Sequence, residues 1–120
     1  MKRDWDLIRK MILAIEDHPA GWAPSDLSFD GYTQGQVGYH AYLLVDAGLA
    51  KGEDASVIGS EGPRGFITSL TWAGHEFADA ARDDSRWKKA LGVVTKKGGN
   101  VTVEILTQLL GSLMRGAFGL

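Results

Sequence analysis

The stretch Val37-Gly38-Tyr39-His40-Ala41-Tyr42-Leu43-Leu44-Val45-Asp46-Ala47-Gly48-Leu49, with residues 50–70 behind it, decides the fold. Thr33 stands where a cap is needed for a helix running to Ala47, and Val37, Ala41, Leu44 and the following Leu49 form its apolar stripe. Gly48 is the residue expected just past a helix C-terminus. Gly35 and Gly38 are unusual inside such a helix, since each costs about 1 kcal/mol against Ala. They either admit a close neighbour or mark a weak helix held by tertiary contacts. Residues 50–70 read as a β-hairpin, with Ser56-Val57-Ile58 as one strand and Phe66-Ile67-Thr68-Ser69-Leu70 as the other. The glycine-rich Gly59–Gly65 loop between them is too long for a two-residue turn, so it is either mobile or folded on something.

Upstream, the spacing of Trp5, Ile8, Ile12 and Ile15, with Leu7, Met11 and Ala14 alongside, predicts a packed helix over Asp4–Asp17. Asp4 is its expected cap, Asp6 complements the dipole of the first turn, and His18-Pro19 ends it. Residues 18–32 form a connector rich in turn signals, with a short strand expected at Asp26–Phe29. Downstream, Thr71 is the expected cap of a third helix through Trp72, Phe77, Ala80 and Ala81. Asp83-Asp84-Ser85 is a break or a new cap before Trp87, Leu91 and Val94. Asn100 is the expected cap of a last helix over Val101–Arg115.

The 120 residues, 44% hydrophobic and 23% charged, amount to one domain's worth of chain and exclude a disordered or fibrous protein. No apolar run reaches the length of a membrane span, and the acids directly behind Lys2-Arg3 do not fit a signal peptide. With no cysteine there is no disulfide, thiolate metal site or Cys nucleophile, which fits a cytoplasmic protein. The charge is uneven: residues 1–81 carry 6 Lys/Arg against 12 Asp/Glu, whereas residues 82–120 carry 7 against 3. Such asymmetry marks a candidate surface for an anionic partner.

The helix closing in Ala47-Gly48-Leu49 with a hairpin directly behind it resembles the recognition helix and wing of a winged-helix domain. Its register is similar to that of the metal-sensing and multiple-antibiotic-resistance repressors. In those regulators the groove-facing side carries Ser, Arg or Lys. Here it carries Gly38, Tyr39, Tyr42 and Asp46, and residues 11–50 hold no Lys or Arg. A second resemblance runs over roughly residues 1–95: Met1-Lys2-Arg3-Asp4, Asp6-Leu7-Ile8-Arg9, Gly38-Tyr39-His40, Ala47-Gly48-Leu49, Leu70–Phe77 and Ala81-Arg82-Asp83-Asp84 with Trp87 occur in order. Together they resemble the YjcQ-like group of short bacterial and prophage proteins. That resemblance implies an α+β winged helix-turn-helix with extra C-terminal helices, a mobile-element context and no particular reaction. The expected division is a winged-helix domain over residues 1–97, with its wing near 50–70, and a C-terminal helix over 98–120.

Candidate contacts to nucleic acid are Gln34, Gln36 and Tyr39 on the second helix, Arg64 on the hairpin, and Arg86, Lys88, Lys89, Lys96 and Lys97 in the basic segment. The acidic context of the second helix points instead to a protein-binding adaptor, so the partner is either nucleic acid or protein. Leu106, Leu109, Leu110, Leu113 and Met114, with Ile105, spread around a wide arc of the last helix, which predicts a homodimer. His18, His40 and His75 include no pair at i, i+4, and Gly59–Gly65 lacks the ending of a phosphate loop. No catalytic residue, metal site or cofactor is therefore expected, and no enzyme. Of four tryptophans, Trp5 and Trp72 fit apolar stripes and are expected in the core. Trp22 is either a lid over that core or an exposed anchor for a partner.

Overall fold

The computed structural model describes residues 1–59 and 62–119. The chain is α+β: helix α1 (Trp5–Asp17), a single 3₁₀ turn (Pro19–Gly21), α2 (Gln34–Asp46), strands β1 (Ala50–Asp54) and β2 (Gly65–Leu70), then α3 (Trp72–Ala81), α4 (Asp84–Lys96) and α5 (Val103–Ala117). It divides into two compact units, Met1–Ala78 and Asp79–Leu120.

In the first unit, α1 starts where expected, because the Asp4 carboxylate accepts the Leu7 N–H at 3.1 Å. Leu7, Ile8, Met11, Ile12 and Ile15 are buried along one face, and α1 packs on α2 and β2. Thr33 and Gln36 cap α2 reciprocally: the Gln36 N–H donates to Thr33 Oγ1 at 3.1 Å, and the Thr33 N–H donates to Gln36 Oε1 at 2.8 Å. The helix closes with Leu49 N–H donating to Leu44 O and Gly48 N–H to Val45 O, with Gly48 at φ +76°. That double bond pattern favours glycine in the left-handed region, as the sequence led us to expect. Thr71 caps α3, its Oγ1 accepting the Gly74 N–H at 3.1 Å.

β1 and β2 form a two-stranded antiparallel sheet, Ala50 opposite Leu70 and Asp54 opposite Gly65. Between Lys51 and Gly52 the register shifts, so Thr68 has no partner residue on β1. Its carbonyl instead accepts the Ala23 N–H at 2.8 Å, which ties the connector to β2.

Four expectations are corrected. The first strand of the hairpin is Ala50–Asp54, not Ser56–Ile58. The Asp54 carboxylate turns the chain by accepting the Ser56 N–H at 2.8 Å, and Val57 and Ile58 are left exposed in the loop beyond. Ser60 and Glu61 of that loop lie outside the described residues. No strand forms at Asp26–Phe29; the contact with the sheet falls earlier, at Ala23. Trp72 is 81% exposed, because α3 buries Gly74, Phe77, Ala78 and Ala81, and a residue two positions ahead of Gly74 faces away from that stripe. Thr102 rather than Asn100 caps α5, its Oγ1 accepting the Ile105 N–H at 3.2 Å.

In the second unit, Asp83 caps α4 by accepting the Arg86 N–H at 2.8 Å, which resolves the Asp83–Ser85 segment as a new helix start. α4 packs against α5, with Trp87, Ala90, Val94, Leu106 and Leu110 buried.

Candidate functional site

Of the two odd glycines of α2, Gly38 faces the hairpin. A Cβ at Gly65 would stand 2.5 Å from the Tyr42 amide nitrogen, so the start of β2 touches the backbone of α2. One residue earlier, the Arg64 guanidinium lies over Gly38, where a Cβ would stand 3.0 Å from Nε. Gly38 thus admits a close neighbour, which is the first of the two readings the sequence left open. The second arm of the hairpin thus meets α2 at Gly38 and Tyr42.

Two clefts flank this contact. The larger, about 530 Å³, is lined by Met1, Gly35, Tyr39, Gly59, Gly62, Pro63 and Arg64. The smaller, about 150 Å³, lies between the connector at Pro24–Leu27, α2 and β2, and Arg64 lines it too. Gln34 is exposed and borders the smaller cleft, whereas the Gln36 side chain is committed to the cap of α2. Tyr39 is half-buried and stacks on Tyr42, with ring centroids 6.3 Å apart and planes 20° from parallel.

Beneath this surface lies a polar junction that the sequence did not reveal. His40 is buried; its Nε2 accepts the Asp4 N–H and its Nδ1 donates to Gln36 O, both at 2.8 Å. The Tyr32 hydroxyl donates to the Asp4 carboxylate. Burial, and then the charges of Asp4 and Asp6, push the Tyr32 phenol above its ordinary value. The Asp54 carboxyl is held below its usual range by its hydrogen bonds from Ser56. His75 Nδ1 sits against Glu16 Oε2 at 3.0 Å, which joins α3 to the last turns of α1. Among the described residues no cluster of His, Asp or Glu could hold a metal ion.

The remaining candidates belong to the second unit. Lys88, Lys89, Lys96 and Lys97 are all exposed. Lys88, Gly92 and Lys96 follow one another at four-residue spacing with Lys89 alongside, which puts three lysines on one side of α4. Arg86 is engaged elsewhere: its Nε donates to Ala80 O at 2.7 Å and Nη2 to Asp79 O at 3.1 Å, closing the end of α3. Of the apolar residues on α5, Leu106 and Leu110 are fully buried within the chain, Leu109, Leu113 and Met114 are half-buried, and Ile105 is exposed. Trp22 is 63% exposed, so it is not a lid closed over the core.

These features define a small α+β protein with a cleft beside α2 and a basic helix face, and among the described residues no helix is long and apolar enough to cross a membrane. The chain belongs to the family described as hypothetical protein (DUF2513), which matches residues 2–100. A relative from Haemophilus influenzae, described as an uncharacterized protein, is 32% identical over 117 residues, covering 95% of this chain and 96% of its own. No solved structure matches the chain.

Proposed function

We propose that this is a small cytoplasmic binding protein of winged-helix type, serving a mobile element as a regulator, that grips the phosphate backbone of nucleic acid with α4. The winged-helix part of the reading is supported by the order α1, α2, hairpin, and by the extended Ala23 contact on β2. It departs from the usual pattern in having only a 3₁₀ turn between α1 and α2, and in laying the hairpin along α2. α2 is therefore not the reading element. The observation that carries the proposal is the face of Lys88, Lys89 and Lys96 with Lys97 beside it, in a stretch from Ser85 to Val103 that holds no acid. Neutralising phosphates releases counterions, so binding to a duplex falls steeply with salt. Replacing Lys88 and Lys89 by Ala flattens the slope of log K against log salt by about two units. An unchanged slope, or no binding at low salt, refutes the proposal.

A protein-binding adaptor is the second reading. It is favoured by the exposure of Trp22, Val57, Ile58, Phe66 and Trp72 in a unit that carries 6 Lys/Arg against 11 Asp/Glu. Absence of duplex binding at low salt moves the weight to it.

A further inference from the structure

Arg64 is held from two directions. Its backbone is pinned between the arms of the hairpin: the N–H donates to Ser56 Oγ at 2.8 Å, and the carbonyl accepts the Ala55 N–H at 2.8 Å. Its guanidinium lies against Gly38 of α2, where an added Cβ would stand 3.0 Å from Nε and 3.3 Å from Nη2. A long cation with an anchored backbone is thereby brought to the wall of a cleft of about 530 Å³, a volume typical of small-ligand sites. Arg64 is the one charged side chain among the described residues lining that cleft, and Tyr39, Pro63 and Met1 line it too. The stacking of Tyr39 on Tyr42 fixes the orientation of its ring before any ligand arrives.

We propose that this cleft binds a single nucleotide, with the phosphate on the Arg64 guanidinium and the base against Tyr39. A planar guanidinium matches phosphate oxygens in a way a lone ammonium does not. An aromatic side chain accepts any base by stacking, and that contact is worth about 1–3 kcal/mol in single-strand binding proteins. The nucleotide is either a free nucleoside monophosphate or an unstacked residue of a single strand, and both offer the same phosphate and base. The site lies wholly within Met1–Ala78 and does not depend on the α4 lysines.

Calorimetric titration of the full chain with AMP, GMP, CMP and UMP tests this. At least one monophosphate binds with Kd below about 1 mM, and the matching nucleoside and inorganic phosphate each bind at least about tenfold more weakly. Arg64→Gln loses about tenfold or more. Gly38→Ala removes no charge, but its new Cβ displaces the guanidinium, so affinity falls several-fold while the fold is retained. The Lys88→Ala, Lys89→Ala double variant binds the monophosphate like the wild type, which separates this site from the duplex-binding reading. A single-stranded tetranucleotide that binds at least as tightly as the monophosphate assigns the site to nucleic acid; one that is excluded assigns it to a free nucleotide. No binding by any of the four monophosphates up to about 5 mM, or full affinity in Arg64→Gln, overturns the proposal.

Discussion

The backbone N–H of Asp4 donates to Nε2 of His40 at 2.8 Å, joining the start of α1 to the middle of α2 across the core of the first unit. The other ring nitrogen donates to Gln36 O, so His40 is held as one neutral tautomer with both nitrogens used. Replacing His40 by Phe keeps an aromatic ring but leaves the Asp4 N–H without its acceptor. Denaturant unfolding is expected to show a loss of about 1–3 kcal/mol. Asp4→Asn, which can still cap α1, costs less than Asp4→Ala, whose loss is about 1 kcal/mol.

Stability is expected to fall in strong alkali through the same junction. The Tyr32 phenol is raised above its ordinary value, first by burial and then by Asp4, to which it donates. A raised folded-state value means that the contribution is fully present below the unfolded value near 10 and is lost as pH rises through the folded one. Thermal melts between neutral pH and about pH 11 should show a steeper loss for the wild type than for Tyr32→Phe. Asp54 acts at the other end of the scale. Its carboxyl is lowered by Ser56, so what it contributes to the hairpin turn is present above the ordinary carboxylate value and is lost as pH falls.

Gly38 and Gly65 should respond in opposite senses to the same substitution. At Gly65 a Cβ meets the α2 backbone at 2.5 Å, and a backbone cannot step aside, so Gly65→Ala separates the hairpin from α2 at a cost above about 2 kcal/mol. At Gly38 the obstacle is the end of a flexible Arg64 side chain. Gly38→Ala therefore gains helix propensity and unfolds at equal or higher denaturant, by up to about 1 kcal/mol. Destabilisation of both variants to the same degree would show that Arg64 is not the only neighbour resisting a side chain at position 38.

How far these relationships were legible in the sequence depends on what each one uses. The start of α1 and both ends of α2 were read correctly because caps and a C-terminal glycine are local signals: Asp4, Thr33 and Gly48 act on residues within one turn. The first hairpin strand was misplaced because Lys51, Gly52, Glu53 and Asp54 are polar and mostly exposed. Such a strand is defined by its partner β2 rather than by its own side chains. The cleft was half visible. Gly38 and Arg64 each stood out, but their meeting joins residues 26 apart in the chain and requires the hairpin to fold back along α2. His40 was legible only as a histidine on a helix; nothing in the local pattern names Asp4 as its donor.

Arg86 belongs to the corner between α3 and α4, and its variants should separate stability from nucleic-acid binding. Its guanidinium donates to the carbonyls of Ala80 and Asp79, where the helix leaves acceptors without intrahelical partners. Arg86→Ala is expected to lower stability by about 1–2 kcal/mol while leaving the salt slope of duplex binding unchanged. Lys88→Ala should do the reverse, flattening the slope by about one unit at near-constant stability. A flattened slope in Arg86→Ala would mean that its contact with α3 opens to admit phosphate.

The apolar strip that α5 leaves open is narrower than the sequence alone suggested. Leu106 and Leu110 have no exposed surface and are already spent inside the chain. What they leave is Ile105, 56% exposed, with the half-buried Leu109, Leu113 and Met114. We propose that this strip pairs two chains about a two-fold axis, the commonest symmetry of small oligomers. Ile105→Glu places a charge on the strip without touching the buried pair. It should turn a dimer into a 13.0 kDa monomer in sedimentation at micromolar concentration, with unchanged helix content by circular dichroism. Leu106→Ala instead opens a cavity within the second unit and costs about 2–5 kcal/mol of stability. A wild-type chain that sediments as a monomer at that concentration refutes the dimer, and a dimer that survives Ile105→Glu places the interface on another surface.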